Sequence, residues 1–486
     1  MKKQHSLTTN ALFSGFKSIL NIVFPLITYK YASIVLGASN IGHVEYAKSI
    51  VSYAILVAGL GINSFAIRNG SIIRNRKADF DTFASRIFGS NCLSASLALV
   101  ILGCLTFAIP VLNSEWPLIL IFSFEIPLIT IGVDWVFNIF EDFKYITMRI
   151  FFCQLIAIVL MVLLVKDAGC RNYYAAIIVF ASYGANIIGF IYARNYCSIK
   201  PQLSREVLSY MPTILLLFVN AVATTIYVNS DITMLGIMVD KEAVGLYSAS
   251  VKIYTAFKTI IATILTVALP KLTYYLQNQF KKEYLKTEAD VIKALMLVAP
   301  AAITGLIMEC RGIILLVSGE EFLKVETTMI VLSIALVFST IAMLCGSTVL
   351  LPGKKEKSIL YATLTGASFN VLLNLILLPK YSFLGAAVTT LISEALVAAI
   401  QLAKSFDSMR SIQLEVKKDI LAPIAGCAAI VGVCSITNLL DTYYLWKLLV
   451  SIACSVLVYS VIVLVMKNNA ALAIMGKIKQ KFFGRR

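Results

Sequence analysis

The sequence predicts an all-α polytopic membrane protein, and three observations carry that expectation. Of the 486 residues, 59% are hydrophobic and only 14% charged, and the mean hydropathy is +0.86, far outside the range of ordinary globular domains. Apolar runs of roughly 20 residues, long enough to cross a bilayer, recur from near the N-terminus to Met466 with short polar breaks. The basic residues concentrate in every second break, which is the positive-inside pattern of a membrane protein.

Spans are expected near residues 10–36, 44–67, 87–111, 117–140, 150–165, 173–193, 208–238, 246–270, 294–317, 327–351, 359–379, 383–403, 419–438 and 445–466, fourteen in all. The opening stretch MKKQHSLTTNALFSGFKSIL has two lysines before its apolar run. It lacks a small-residue cleavage site and the run outlasts a signal peptide, so it is expected to stay as the first span. Placing the N-terminus in the cytoplasm puts 30 of the 42 Lys and Arg on the cytoplasmic side, Lys144 and Arg149 among them. The opposite loops then hold only Lys166, Arg171, Lys241, Lys324 and Lys380. Both termini are therefore expected in the cytoplasm.

The net charge of +16 thus reports topology. Clusters such as Arg74–Lys77 and the C-terminal GKIKQKFFGRR are expected to be solvated anchors facing lipid headgroups, and no nucleic-acid partner is expected, because no folded domain accompanies them. Ten cysteines stand singly, mostly within apolar runs, without CxxC spacing, and are expected to be packing residues.

An internal repeat organises the chain. Shifted by 199 residues, Asn10 falls on Ser209, Ser14 on Thr213, Asn21 on Asn220, Thr28 on Tyr227 and Leu36-Gly37 on Leu235-Gly236. At about 100° per residue, all but the last pair return to one helical face, so spans one and seven each carry a polar stripe. Lys17 joins the first stripe; Thr224 and Asp231 join the second. Six spans separate the copies, so both halves insert in the same orientation, related by an axis along the membrane normal. The chain accordingly divides into a six-helix bundle at 1–206, a second at 207–406, and two additional helices with a basic cytoplasmic tail at 407–486.

The next span of each half repeats the theme. Glu45, Lys48 and Ser52 share one side of span two, and Ser248, Lys252, Thr255, Thr259, Thr263 and Thr266 share one side of span eight. Lys258 lies about a third of a turn away, placed to snorkel to another surface. The remaining intramembrane charges include Lys30, Glu125, Asp134, Glu309, Arg311 and Glu394. A charge against lipid costs roughly 2.5 to 3.5 kcal/mol, so these side chains are expected to face a hydrated interior or each other.

Asp231 admits two readings, a structural pair or cap near the outer end of a broken helix, or an ion-coupling carboxylate lining a cavity. The continuity of its stripe with Asn220, Thr224 and Tyr227 favours the second. Lys17, Lys48 and Lys252 make an inward cationic surface suited to an anionic cargo, with Asn21 and Asn220 as neighbouring hydrogen-bonding groups. Glu45 and Lys48, at i,i+3, form either an intrahelical ion pair or part of a cargo site. Glu125 and Asp134 stand nine apart, on opposite faces of one helix, and are not a paired acid site. Glu394 sits mid-span with Thr390 and Gln401 on its side and is a candidate for the cavity; Asn370 and Asn374 are expected to hydrogen-bond between helices. Glu309 and Arg311 are expected to have local partners.

Enzymatic signatures are absent. The two histidines, His5 and His43, supply neither a metal cluster nor a triad, no cofactor is called for, and no GxxxxGK[ST] loop appears. All outer loops are short, unlike those of polysaccharide polymerases and ligases. A carrier fits better than an enzyme.

Three stretches, NALFSGFKSILNIVFPLITYKYASIVLGASNIGHVEYAKSI, YVNSDITMLGIMVDKEAVGLYSASVKI and SFNVLLNLILLPKYSFLGAAVTTLISE, resemble the first, the seventh and eighth, and the eleventh and twelfth spans of Wzx-type polysaccharide flippases. These belong to the multidrug/oligosaccharidyl-lipid/polysaccharide (MOP) exporter superfamily. The resemblance implies two six-helix bundles enclosing a V-shaped cavity. It also implies transport of an undecaprenyl-diphosphate-linked oligosaccharide, such as an O-antigen repeat unit, from the cytoplasmic to the periplasmic leaflet of a bacterial inner membrane. Alternating access driven by an H+ or Na+ gradient, bilayer lipids as surroundings, and a polysaccharide polymerase and chain-length regulator as partners are further implications. In that setting Lys17, Lys48 and Lys252 supply point charges to the diphosphate, and Asp231 with Glu394 exchanges the coupling ion. A lipid II flippase and a multidrug or cation antiporter of the same superfamily are the rival readings. A membrane glycosyltransferase or polymerase is a third, for which Asp134 with Glu141-Asp142 is the only candidate.

Overall fold

The computed structural model describes residues 7–204, 206–410, 419–440, 442–473 and 475–476. The N-terminal lysines Lys2 and Lys3, the basic residues Arg205, Lys417 and Lys418, and the basic tail at 477–486 lie outside them. Among the described residues every regular element is helical, and eleven helices are long and apolar enough to cross a membrane. Two of these each hold two of the expected spans. Leu7–Gly59 bends at Gly37, whose φ of 76° suits a residue without a Cβ, and Glu356–Arg410 bends at Ser382, three residues after Pro379.

The expected fourth span, 117–140, is not one helix. It runs as Trp116–Ser123, Glu125–Gly132 and Asp134–Ile139, broken at Val133, a β-branched residue held at φ 39°. The opposite-face reading of Glu125 and Asp134 assumed an unbroken helix, and the break re-aims them independently. Span six is also interrupted, by a π-helical turn at Phe180–Gly184. Span seven, by contrast, is one helix, Val207–Met238, so Asp231 is not a cap.

The chain forms two compact units, residues 1–245 and 246–486. In the first, an aromatic core gathers Phe65, Phe80, Phe83, Trp135 and Phe137, with Tyr145 and Tyr192 stacked at 3.8 Å. Phe80 and Phe83 come from Lys77–Ala108, and Trp135 and Phe137 from the short Asp134–Ile139 helix. This packing holds the broken fourth span in place through dispersion and ring-edge contacts that propensity alone would not supply. In the second unit, Leu421–Asn438 packs on Tyr444–Val465 and on Lys281–Met308.

Within the first unit, the turn after Gly37 and the turn at the end of Val207–Met238 meet backbone to backbone. A Cβ on Gly42 would stand 1.6 Å from the Lys241 carbonyl oxygen, and one on Gly245 would stand 1.8 Å from that of Ala38. Lys241 is thereby not a loop residue. It opens the Lys241–Gln277 helix, donates to the Gly236 carbonyl at 2.6 Å, and stacks 3.2 Å from the Tyr46 ring centroid. Nearby, His43 Nδ1 lies 2.5 Å from Glu115. Gly245→Ala is expected to force this contact apart at a cost of about 1–3 kcal/mol, read as a lowered thermal midpoint in detergent. An unchanged midpoint would mean that the two turns do not meet.

Candidate functional site

The polar stripes are built by helices whose hydroxyls already have partners. Thr224 donates to the Asn220 carbonyl at 3.0 Å, Thr259 to Thr255 at 2.8 Å, Thr263 to Thr259 at 2.9 Å and Thr266 to Thr263 at 2.9 Å. Each donor proton is thus taken up within its own helix, while the side chains remain exposed. The oxygen lone pairs point outward as acceptors, matched to the hydroxyl donors of a sugar. Asn21 and Asn220 are exposed along the same kind of face, and Lys17, Lys48 and Lys252 are half-buried.

Asp231 is 5% exposed, beside Ser230 at 4%. Two residues on, about half a turn around the helix, Thr233 enters a hydroxyl relay: Thr233 donates to Ser49 at 3.0 Å, Ser49 to the Tyr46 carbonyl at 2.7 Å, and Tyr53 meets Thr233 at 3.2 Å. Tyr53 is within electrostatic reach of Asp231. Spans two and seven therefore share one buried polar seam. Ser49, Tyr53 and Thr233 were not singled out by sequence; they fall outside the repeated stripe, and only their placement across from one another makes them a network.

In the second unit Glu394, 3% exposed, accepts from Lys258 Nζ at 2.8 Å and from the Tyr254 hydroxyl at 2.9 Å. Lys258 does not snorkel to another surface; it pairs with an acid 136 residues away. Tyr254 is four residues before Lys258, on the same face, and that spacing was a legible signal. Thr390, on the Glu394 side as expected, meets Tyr247 at 3.3 Å. Asn374 donates to Asn370 one turn earlier in its own span at 3.1 Å and accepts from Thr389, across the bend at Ser382, at 2.6 Å; only the second is the between-span bonding expected of that edge.

The other intramembrane charges divide between pairs and buried sites. Asp134 is ion-paired with Arg149, which is 7% exposed and lies 5.2 Å from the Phe137 ring centroid. Arg149 is thus not part of a cytoplasmic loop: the Phe143–Leu164 helix begins seven residues earlier than the expected fifth span and carries the guanidinium into the bundle. Glu125, 3% exposed, is within electrostatic reach of Lys48, and Glu45 is buried beside Tyr174. Lys30 is half-buried. Arg311 is exposed and lies 3.9 Å from Glu326, while Glu309 accepts from Ser451 at 2.5 Å.

Glu309 also lines a cavity of about 340 Å³ in the second unit, otherwise walled mainly by Leu306, Ile313, Ile430, Ile452 and Val456. That volume is in the range of small-ligand sites. Among the described residues no cluster of metal-ligating side chains occurs and all ten cysteines are free. Outside the spans, burial pushes the Cys197 thiol up to about 12, with Asp81 adding to the shift, so it keeps its proton and is no nucleophile.

A family model described as "Polysaccharide biosynthesis protein" matches residues 7–276. The chain belongs to that polysaccharide biosynthesis family. A relative named "Putative O-antigen transporter" from Escherichia coli (strain K12) is 21% identical over 406 residues, covering 82% of this chain and 96% of its own. Among solved structures, the lipid II flippase MurJ in an inward closed conformation superposes with a TM-score of 0.70 at 15% identity, covering 96% of this chain and 100% of its own. An inward-facing multidrug resistance MATE transporter of the MOP superfamily does so at 0.62 and 12% identity, covering 80% and 94%. This member of the polysaccharide biosynthesis family therefore has the MOP-type transporter fold, and the resemblance read from its sequence is borne out at the level of family and fold.

Proposed function

We propose that the protein is a flippase that carries an undecaprenyl-diphosphate-linked oligosaccharide, such as an O-antigen repeat unit, from the cytoplasmic to the periplasmic leaflet of a bacterial inner membrane. Both termini lie in the cytoplasm, and alternating access is driven by an ion gradient. The observation that carries this reading is the exposed row of Thr255, Thr259, Thr263 and Thr266 on the same helix as the half-buried Lys252. The hydroxyl protons are taken up within the helix, and the remaining oxygen lone pairs form an acceptor row open to water and cargo. Lysines supply charge to a diphosphate without demanding one geometry, and hydroxyl oxygens accept from sugar hydroxyls.

Asp231 and the Lys258–Glu394 pair are the ion-responsive groups in this reading, and the apolar cavity beside Glu309 has the chemistry to take an isoprenoid tail. A polysaccharide polymerase and a chain-length regulator act next on the delivered unit. The deciding experiment is leaflet translocation in vesicles holding the purified protein, defined H+ or Na+ gradients and several lipid-linked glycans. Gradient-dependent movement of an undecaprenyl-diphosphate-linked oligosaccharide is expected. Movement of lipid II alone, or of cationic drugs alone, would replace this assignment with one of its superfamily rivals.

A further inference from the structure

Glu288 lies in the Lys281–Met308 helix, far in sequence from every group used above. It is 0% exposed, and neither of its carboxyl oxygens has a hydrogen-bond partner. A bare carboxylate in that position would lack both water and, among the described residues, a counter-charge, which strongly disfavours the ionised form. Tyr284, one turn earlier on the same face, and Thr348 lie alongside the carboxyl. The Tyr284 hydroxyl has given its proton to the Thr348 carbonyl at 2.8 Å, and the Thr348 hydroxyl has given its own to the Leu344 carbonyl at 2.9 Å.

In this arrangement neither hydroxyl donates to Glu288, although both lie near enough to do so if their O–H bonds rotate away from those carbonyls. Lone pairs can accept from a carboxylic acid O–H and cannot stabilise a carboxylate. The titratable groups facing Glu288 are Tyr284 from its own helix and Cys345 from Glu326–Cys345. The Cys345 sulfur lies 3.9 Å from the Met409 sulfur. Ser405, from Glu356–Arg410, lies beside Cys345, and Ser408 lies beside Tyr284. No charged side chain acts on Glu288 among the described residues.

The wall opposite Glu288 is a weak point in its helix. Gly346–Leu350 is a π-helical turn, closed by the Leu351 N–H donating to the Gly346 carbonyl at 2.9 Å, and such single-turn bulges interrupt the regular i→i+4 ladder and are frequent at functional sites. Water is close at hand. The exposed Lys281, Lys282 and Glu283 begin the same helix, about two helical turns from Glu288.

We propose that Glu288 is a proton-binding site of the second unit: it carries a proton in this arrangement and releases it when the π-helical turn and the Glu356–Arg410 helix draw back from it. On release the acid O–H bond breaks and the proton passes to an entering water, leaving a carboxylate that takes hydrogen bonds from solvent. Protonation of one side chain thus favours the closed packing of three helices. The site needs no cargo for its chemistry and does not rest on the transport reading above.

The test uses the full chain in lipid vesicles without cargo. Infrared spectra at about pH 7 and about pH 9 are recorded for the wild type and for Glu288→Gln, which keeps the shape of the protonated acid. Amide hydrogen exchange at 346–351 is followed in parallel and corrected for the intrinsic rate. The wild type should show a protonated-carboxyl C=O band at the lower pH that is missing from Glu288→Gln. Raising the pH should remove the band and speed exchange severalfold, whereas Glu288→Gln should exchange slowly at both. Glu288→Asp should restore a titrating band, which separates loss of the proton from misfolding. Absence of the band at the lower pH, or a band that persists while exchange stays unchanged, overturns the proposal and leaves Glu288 a structural acid.

Discussion

Asp231→Asn should leave the protein inserted and folded while lowering translocation of the lipid-linked glycan about tenfold or more, equivalent to at least roughly 1.4 kcal/mol at the rate-limiting step. The side chain sits inside Val207–Met238, about two turns before its end, and is 5% exposed, so an amide of the same size keeps the packing. What it removes is the charge next to the Ser49–Thr233–Tyr53 relay. A group that exchanges an ion between two faces of a membrane must be able to alternate its charge, and asparagine cannot. Inner-leaflet accumulation of lipid-linked units, measured against the unchanged amount of protein in the membrane, is the readout. Normal surface polymer in this variant would refute the coupling role.

The second large effect is expected at Lys258. Lys258→Met removes the cation from Glu394 and leaves a carboxylate that is 3% exposed with, among the described residues, the Tyr254 hydroxyl as its remaining hydrogen-bond donor. Breaking a fully buried pair by deleting one partner costs about 3–5 kcal/mol. Lys258 is partly open to solvent at 29%, so a loss of about 2 kcal/mol is expected after discounting for screening. Glu394→Gln alone should cost less, because lysine can keep its head in water. The double variant Lys258→Met/Glu394→Gln should recover most of the lost stability, since no charge is left behind. Midpoints of thermal unfolding in detergent for the four proteins form a double-mutant cycle. Additive losses would mean that the two side chains do not interact.

The two results would separate roles that look alike in a list of intramembrane charges. Lys258 and Glu394 neutralise one another within one unit, as Arg149 and Asp134 do in the other. Such pairs satisfy the requirement that a charge inside a membrane find a partner, and they remove Asp134 from the acids that a glycosyltransferase could use. Lys17 forms no ion pair among the described residues and is half-buried, while Asn21 and Asn220 are exposed.

Much of this was legible without coordinates. Hydropathy and the distribution of Lys and Arg specify membrane spans, because transfer free energy depends on composition over about 20 residues and on little else. A helix has a fixed period, so spacing groups these residues on shared faces: Asn21, Asn220 and Thr255 to Thr266 are exposed, whereas Ser248 and Asp231 on the same stripes are buried, which spacing alone does not reveal. The Asn370–Asn374 edge was legible for the same reason.

Other features depend on contacts between residues far apart in the chain. That Lys258 meets Glu394, that Arg149 enters the bundle to meet Asp134, and that the 117–140 stretch breaks at Val133 are decided by which helices pack together. Periodicity places a side chain on a face and does not say what stands opposite. The sequence by itself determined the solvent, the approximate spans and the polar faces, since each follows from local composition and the 3.6-residue repeat. Only the tertiary structure decided which charges are cancelled and which, like Glu288, are sealed away without a counter-charge among the described residues, because Coulomb and desolvation energies depend on distances of a few ångströms that no spacing along the chain encodes.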